Sequence, residues 1–235
     1  LLELAALEPG ERVLDVACGT GLVTFRAADL VGPGGSVVAT DISDGMVSSL
    51  HTAAAERGLG WVEARRAHAE EQVFEAGRFD AVLCALGLMY VPDPRAALRE
   101  MRRVLKPGGR VAVAVWGARA RCGWAEIFPI VDSRVESDVC PMFFQLGTGD
   151  TLRSRMTEAG FVDIQADRIS TTLEYASAGD ALGAAFVGGP VAMAYSRFDE
   201  RTREEAHAEY LASIAPFAHG PAYRVPGEFV VARGR

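Results

Sequence analysis

Cysteine is scarce in this chain of 235 residues: four occur, Cys18, Cys84, Cys122 and Cys140, and no two stand at C-x-x-C spacing. That excludes a zinc ribbon or a redox dithiol, and no metal-ligand set is expected. Cys18 and Cys84 read instead as small apolar side chains at the ends of core strands. A reducing, cytoplasmic setting fits this usage. No apolar run reaches the length of a membrane span, and no signal-peptide pattern is present. Positive charge is short as well, with 24 Lys and Arg against 31 Asp and Glu, a net charge of −7. A nucleic-acid surface needs the opposite balance, so no nucleic acid is expected as partner. The basic cluster Arg99, Arg102, Arg103 and Lys106 reads as a solvated helix face. Repeats and low-complexity tracts are absent. Hydrophobic residues at 49% and charged residues at 23% are ordinary for a globular chain. The length suits one α/β domain with additions rather than two ordinary domains.

The informative stretch is Val13-Leu14-Asp15-Val16-Ala17-Cys18-Gly19-Thr20-Gly21. Val13 to Ala17 is the kind of short apolar run that forms a strand buried on both faces. Asp15 lies inside it, where a charge is expensive without a partner. Gly19 and Gly21 then open a helical stretch, and glycine there allows a tight turn and close approach of a ligand to the backbone. Strand, glycine turn and helix make the first half of a nucleotide-binding βαβ unit. A dinucleotide fingerprint needs a third small residue, but Leu22, Val23 and Thr24 follow Gly21. A carboxylate four positions before Gly19 would repel a pyrophosphate and attract a cationic amino group. A small cationic ligand is the better fit, and a nicotinamide-dependent oxidoreductase the poorer one.

The rest of the chain reads as alternating elements. Leu1 to Leu7 ends a helix at Pro9-Gly10. Strands are expected at Arg12–Ala17, Ser36–Thr40, Trp61–Ala67, Phe79–Cys84, Arg110–Val115, Phe161–Thr172 and Phe229–Ala232. Helices are expected at Thr20–Val31, from the Ser43 cap to Gly58, from Asp93 or Pro94 to Leu105, at Gly123–Val135, Asp150–Ala159, Ser177–Val187 and Glu200–Ile214. Ala97, Leu98, Met101, Val104 and Leu105 form an apolar stripe at helical spacing, and Lys106-Pro107-Gly108-Gly109 reads as a turn. Asp41 stands at the end of the second strand, roughly 20 residues beyond Gly21, where a carboxylate can accept both ribose hydroxyls of a nucleoside. It could instead cap the next helix, although Ser43 is the better cap. The apolar segment Ala85 to Tyr90 follows the fourth strand, at the end of the sheet where open α/β folds bind ligands. Val139 to Gly147 is an apolar loop.

Asp15-x-Ala17-x-Gly19-x-Gly21 resembles the first motif of class I S-adenosylmethionine-dependent methyltransferases. The resemblance runs through most of the chain, is closest from Glu11 to Trp116, and points to the branch containing the ubiquinone and menaquinone C-methyltransferases. The Phe79-Asp80 pair and the Lys106-to-Gly109 turn before a β-run belong to it; Ala17 departs from the glycine common there. The resemblance implies a doubly wound, Rossmann-like α/β sheet, mostly parallel with an antiparallel last strand, helices on both faces, and a helical substrate-side insertion at about 176–221. Residues 1–116 would be the cofactor-binding half and 117–235 the substrate-shaping half. S-adenosylmethionine would be held by Asp15, Ala17, Gly19, Thr20, Gly21, Asp41, Ile42, Met46, His68, Ala69, Glu70 and Ala85, with Met46 against the adenine. His68 replaces the Asp that accepts from the adenine amino group in relatives, so the acceptor there is either the imidazole or backbone. The family's N-terminal helix often covers the active site, and the chain opens at Leu1 without Met, so a preceding segment is expected.

An in-line methyl transfer needs placement of the acceptor and exclusion of water more than a fixed catalytic motif. No base is assigned; His207, His219, Tyr195 and Tyr90 are the side chains able to serve. The segment after strand four lacks the Asn-Pro-Pro-Tyr type of motif found in enzymes that methylate exocyclic or amide nitrogens. A hydrophobic or aromatic small-molecule acceptor, methylated at oxygen or carbon with nitrogen as a further option, is expected. Tyr90, Phe143, Phe144 and Tyr195 are the candidate acceptor contacts; Phe186, Met142 and Met193 add apolar surface, and all could equally be packing. A cofactor-binding regulator without turnover is the alternative from another class. A homodimer is compatible with the sequence.

Overall fold

The structure is a computed structural model that describes residues 1–135 and 143–235. Cys140 and Met142 lie outside the described residues. The helices are α1 (Leu2–Ala5), α2 (Leu22–Val31), α3 (Asp44–Glu56), α4 (Pro94–Val104), α5 (Ile127–Asp132), α6 (Thr151–Glu158), α7 (Ala178–Leu182), α8 (Ala192–Tyr195) and α9 (Glu200–Ile214). The strands are β1 (Arg12–Val16), β2 (Ser36–Asp41), β3 (Val62–Arg66), β4 (Phe79–Ala85), β5 (Leu105–Trp116), β6 (Gln165–Tyr175), β7 (Ala218–His219) and β8 (Ala222–Gly234). The chain divides into two compact units. One is Leu1–Val115 with Asp150–Asp167 and Val230–Arg235; the other is Trp116–Gly149 with Arg168–Phe229.

The first unit carries the parallel part of the sheet. β1 pairs in parallel with β2 and β4, β2 with β3, and β4 with β5. The whole sheet runs β3-β2-β1-β4-β5-β8-β6, with β7 antiparallel to β8. Val13, Leu14, Asp15 and Val16 in β1 and Ala81 to Cys84 in β4 are each at most 1% exposed. Successive residues of a strand face opposite sides, so unbroken burial means that both faces are covered. On one face, Ala27, Ala28 and Val31 of α2 pack on Val13, Val37, Ala81 and Leu83. The chain leaves β1 for β2 on one side and reaches β4 on the other. The strand order therefore reverses beside β1, the position where such sheets open a ligand crevice.

Local chemistry sets the helix starts. Ser43 caps α3, its hydroxyl accepting the Met46 N–H at 3.4 Å, as the sequence suggested. Asp93 caps α4 through the Arg95 and Ala96 N–H groups, with Pro94 in the first turn. Ala97, Leu98, Met101, Val104 and Leu105 are buried. The Lys106-to-Gly109 turn takes another form: the register steps from Phe79 opposite Leu105 to Ala81 opposite Arg110, so these four residues bulge out of an otherwise continuous strand.

Arg99, Arg102 and Arg103 are exposed, the solvated helix face that the sequence suggested, and Lys106 is half-buried; three of the four are also paired. Arg103 binds Glu100 and two backbone carbonyls, Lys106 binds Asp80 at 2.6 Å, and Arg99 lies 3.9 Å from Asp93. Helix α4 sits beside acidic and carbonyl partners that one-dimensional reading does not reveal.

The second unit is packed by aromatic rings. Trp124 touches Trp116, Phe128, Phe143 and Phe144, and Phe229 stacks on Trp116 at 4.3 Å. Several elements differ from the sequence reading here. The helix expected over Gly123–Val135 is only Ile127–Asp132. The one expected over Ser177–Val187 changes at Gly183 into a π-type turn, Gly183–Val187. β8 starts at Ala222, ahead of Pro226, because Ala222 and Tyr223 pair with β7; Pro226 within it cannot donate and instead accepts the Gly123 N–H. β6 begins at Gln165 rather than Phe161 and runs to Tyr175.

Candidate active site

The carboxyl ends of β1, β2, β3 and β4 surround a cavity of about 470 Å³ that lies wholly within the first unit. That is within the usual range for a small-ligand site. β1 delivers Ala17 to Thr20, β2 delivers Asp41 and Ile42, the loop after β3 delivers Ala67 to Glu70, and β4 delivers Ala85 to Gly87. Tyr90, Val91 and Pro92 complete the wall. Of the twelve residues that the resemblance marks for the cofactor, the cavity gathers Ala17, Gly19, Thr20, Asp41, Ile42, His68, Ala69, Glu70 and Ala85. Asp15, Gly21 and Met46 are outside its lining.

The turn after β1 takes the shape that its glycines allow. Ala17, Gly19 and Gly21 all have positive φ, at 56°, 54° and 88°. At Gly21 a Cβ would come within 2.8 Å of the Phe25 ring. Gly21 thus shapes the start of α2 from behind the wall. Asp41 holds this turn against β2: one oxygen accepts the Gly19 N–H at 3.0 Å, the other the Ser43 N–H at 2.9 Å. A carboxylate offers about four lone-pair sites, so two remain for ligand hydroxyls. Asp41 is therefore a turn clamp whose free valence belongs to the cavity, while Ser43 does the helix capping.

Asp15 is 1% exposed, and its carboxylate accepts the Thr24 hydroxyl at 2.6 Å. Burial pushes its pKa up to about 7, against the lowering effect of the Thr24 bond, and nearby Asp41 adds to the rise. A carboxyl group with a raised folded-state pKa binds its proton more tightly in the native chain. Its contribution to stability is full below the unfolded value near 4 and is lost as the pH climbs through 7. Asp15→Asn keeps an acceptor for Thr24 and removes the titration. Its midpoint should exceed that of the parent at pH 7.5 and approach it at pH 4.5. Parallel melting curves across that window would disprove the assignment.

The thiols at the site are held protonated. Burial raises Cys18, with Asp15 and Asp41 adding to the effect, and burial pushes Cys84 up to about 12. Tyr90 is 51% exposed on the wall, and desolvation pushes its phenol up to about 12. With or without that shift it is neutral at pH 7 and presents a hydroxyl rather than a phenolate. The cavity wall bears two carboxylates, Asp41 and Glu70, and no Lys or Arg.

The other acceptor candidates belong to the second unit. Phe143 and Phe144 are 1% and 5% exposed inside the Trp124–Phe128 packing. The Tyr195 hydroxyl meets His207 Nε2 at 2.9 Å, and both rings pack on Phe186. Cys18, Leu86 and Gly87 line the cavity from within the glycine turn and the Ala85-to-Tyr90 segment that the sequence marked, while Ala67, Val91 and Pro92 were not singled out. Gly87 carried a signal, a glycine just past a core strand, whereas the others contribute mainly backbone and apolar surface.

Comparison with known proteins follows the same outline. A family model described as a methyltransferase domain matches residues 14–113. The chain is 34% identical over 175 residues to the ubiquinone/menaquinone biosynthesis C-methyltransferase UbiE of Ectopseudomonas mendocina, covering 68% of each chain. It is 43% identical over 113 residues to the nocamycin O-methyltransferase of Saccharothrix syringae, covering 48% of this chain but only 40% of that relative's length. The crystal structure of the YcgJ protein from Bacillus subtilis superposes with a TM-score of 0.68 at 18% identity, over 99% of this chain and 94% of that one, and shows the shared fold. The chain belongs to the class I S-adenosylmethionine-dependent methyltransferases and is similar to the ubiquinone/menaquinone C-methyltransferases among them.

Proposed function

We infer that this protein transfers a methyl group from S-adenosylmethionine to a hydrophobic or aromatic small molecule, at oxygen or carbon in preference to nitrogen. The observation that carries the reading is the cavity's charge: carboxylates, glycine backbone and apolar wall, with no cation to meet a pyrophosphate. This donor set fits a cationic, ribose-bearing ligand. Asp41 would accept the ribose hydroxyls, Ile42 would lie against the adenine, and the His68–Glu70 wall would border the adenine edge. The backbone of Gly19 and Thr20 would approach the amino-acid end, with Asp15 and Gly21 behind the turn that presents it.

Bound there, S-adenosylmethionine would supply an activated methyl with S-adenosylhomocysteine as leaving group, and a protonated acceptor would give up its O–H or C–H proton to solvent. The chain's own part is to place the acceptor in line and to exclude water. Tyr90 is the one of the four aromatic candidates that lines the cavity, and its neutral hydroxyl can orient an acceptor oxygen. Residues 117–235 would then carry the acceptor preference. The O-methyl and C-methyl activities named for the two relatives both fit an acceptor of this kind.

Ligand that binds only the folded state raises the unfolding midpoint. S-adenosylhomocysteine at about a hundred times its Kd should add about 2.7 kcal/mol of stability. No rise with S-adenosylhomocysteine, together with a rise with NADH, would reverse the reading. Binding without turnover against phenols, quinols and carbon acids would favour a regulator.

A further inference from the structure

The cavity wall from His68 to Glu70 belongs to a loop, Ala67–Arg78, that has no helix or ladder of its own beyond a single bridge between His68 and Glu71. Backbone bonds hold its ends, with the Ala67 N–H donating to the Asp41 carbonyl at 3.1 Å and the Gly77 and Arg78 N–H groups to the Arg103 and Val104 carbonyls at 3.1 and 2.8 Å; between them, side chains meet its backbone groups. The His68 carbonyl accepts the Gln72 side-chain amide at 2.9 Å as well as the Glu71 N–H at 3.2 Å. The Gln72 N–H donates to Glu100 at 2.9 Å. Arg103 donates to the Gln72 carbonyl at 2.9 Å and the Phe74 carbonyl at 2.8 Å, while forking onto both oxygens of Glu100 at 2.7 and 2.8 Å. At the other end of the same helix, the Asp93 N–H donates to Glu70 at 2.7 Å. One helix, α4, thus grips the loop at two places, and Gln72, 4% exposed, passes the grip to the wall.

Neither Glu100 nor Arg103 lines the cavity. Their fork nevertheless fixes two carbonyls and one N–H of the loop in a planar, charge-assisted arrangement that a lysine could not reproduce. We propose that Glu100, Arg103 and Gln72 are positioning residues that set the cofactor affinity by holding the His68–Glu70 wall in place. A wall held in advance costs less order on binding than one that must be ordered by the ligand. The proposal rests on the reading of the cavity as an S-adenosylmethionine site, but its structural half stands apart from it.

Two measurements separate them. In the ligand-free protein, amide exchange over residues 68–74 should quicken in Arg103→Ala and stay unchanged in Arg155→Ala, which breaks an exposed ion pair on α6. Calorimetric titration with S-adenosylhomocysteine, at a temperature where every variant is folded, should show affinity lowered roughly three- to thirtyfold in Arg103→Ala and in Gln72→Ala. The double variant should be no weaker than the weaker single one, because both act through one linkage. Unchanged exchange in Arg103→Ala overturns the grip. Faster exchange with parent-like affinity, or losses that add in the double variant, overturns its role in binding. Absence of binding by the parent protein strikes the cofactor reading instead, and the affinity claim with it.

Discussion

Asp41→Ala is expected to weaken S-adenosylhomocysteine binding roughly a hundredfold or more. Two hydroxyl hydrogen bonds to a carboxylate are each worth about 1.5–3 kcal/mol, and every 1.4 kcal/mol is a factor of ten. Part of the loss would come through the turn, because the same carboxylate holds the Gly19 and Ser43 N–H groups. Asp41→Asn separates the contributions. The amide oxygen can keep one N–H, but the charge is gone and its NH₂ meets a second N–H as donor against donor. The asparagine variant should bind between the parent and the alanine variant. Titration calorimetry reads both. An alanine variant that melts earlier yet binds within threefold of the parent would leave Asp41 as a structural clamp only and remove it from the ribose.

Gly87→Ala should be the most damaging single-methyl change at the site. A Cβ on Gly87 would fall on the Ala17 Cβ and reach the Cys84 sulfur at 3.4 Å. Ala17 cannot retreat, since it sits at φ 56° in the turn that also places Gly19 and is tied to β2 through the Cys18 N–H bond to Thr40. Overpacking of this kind costs about 1–3 kcal/mol, and in a chain of this size about 2–4 °C of midpoint per kcal/mol. A loss of roughly 2–12 °C is expected, with weaker ligand binding because both residues line the cavity. Ala17→Gly removes the opposing methyl and also a left-handed alanine, whose strain is about 1 kcal/mol. The Ala17→Gly, Gly87→Ala double variant should therefore recover most of the midpoint. Equal melting of the single and double variants would show that the two methyls do not oppose each other.

The order of strands and helices through Trp116 could be read from the chain because the buried strands are mostly apolar runs and α3 and α4 start at their own side-chain caps. Ser43 and Asp93 are local signals, and both act as such. Asp41 was legible because its place at the end of β2 follows from the length of one βαβ unit. Beyond Trp116 the signals weaken. The rings at Trp124, Phe128, Phe143 and Phe144 pack by shape rather than by period, so α5 came out shorter than its apolar run and β8 longer.

By itself the sequence determined the parallel core, the glycine turn after β1 and the carboxylate set that points to a cationic nucleoside ligand. Each of these depends on neighbours within about one βαβ unit. Only the tertiary structure decided that Asp15 lies behind the wall with Thr24, that Phe143 and Phe144 turn into their own unit's packing, and that Arg103, on an exposed helix face, also grips a loop. Each of those depends on partners brought from distant positions, and burial and hydrogen-bond geometry follow from the assembled fold rather than from residue order.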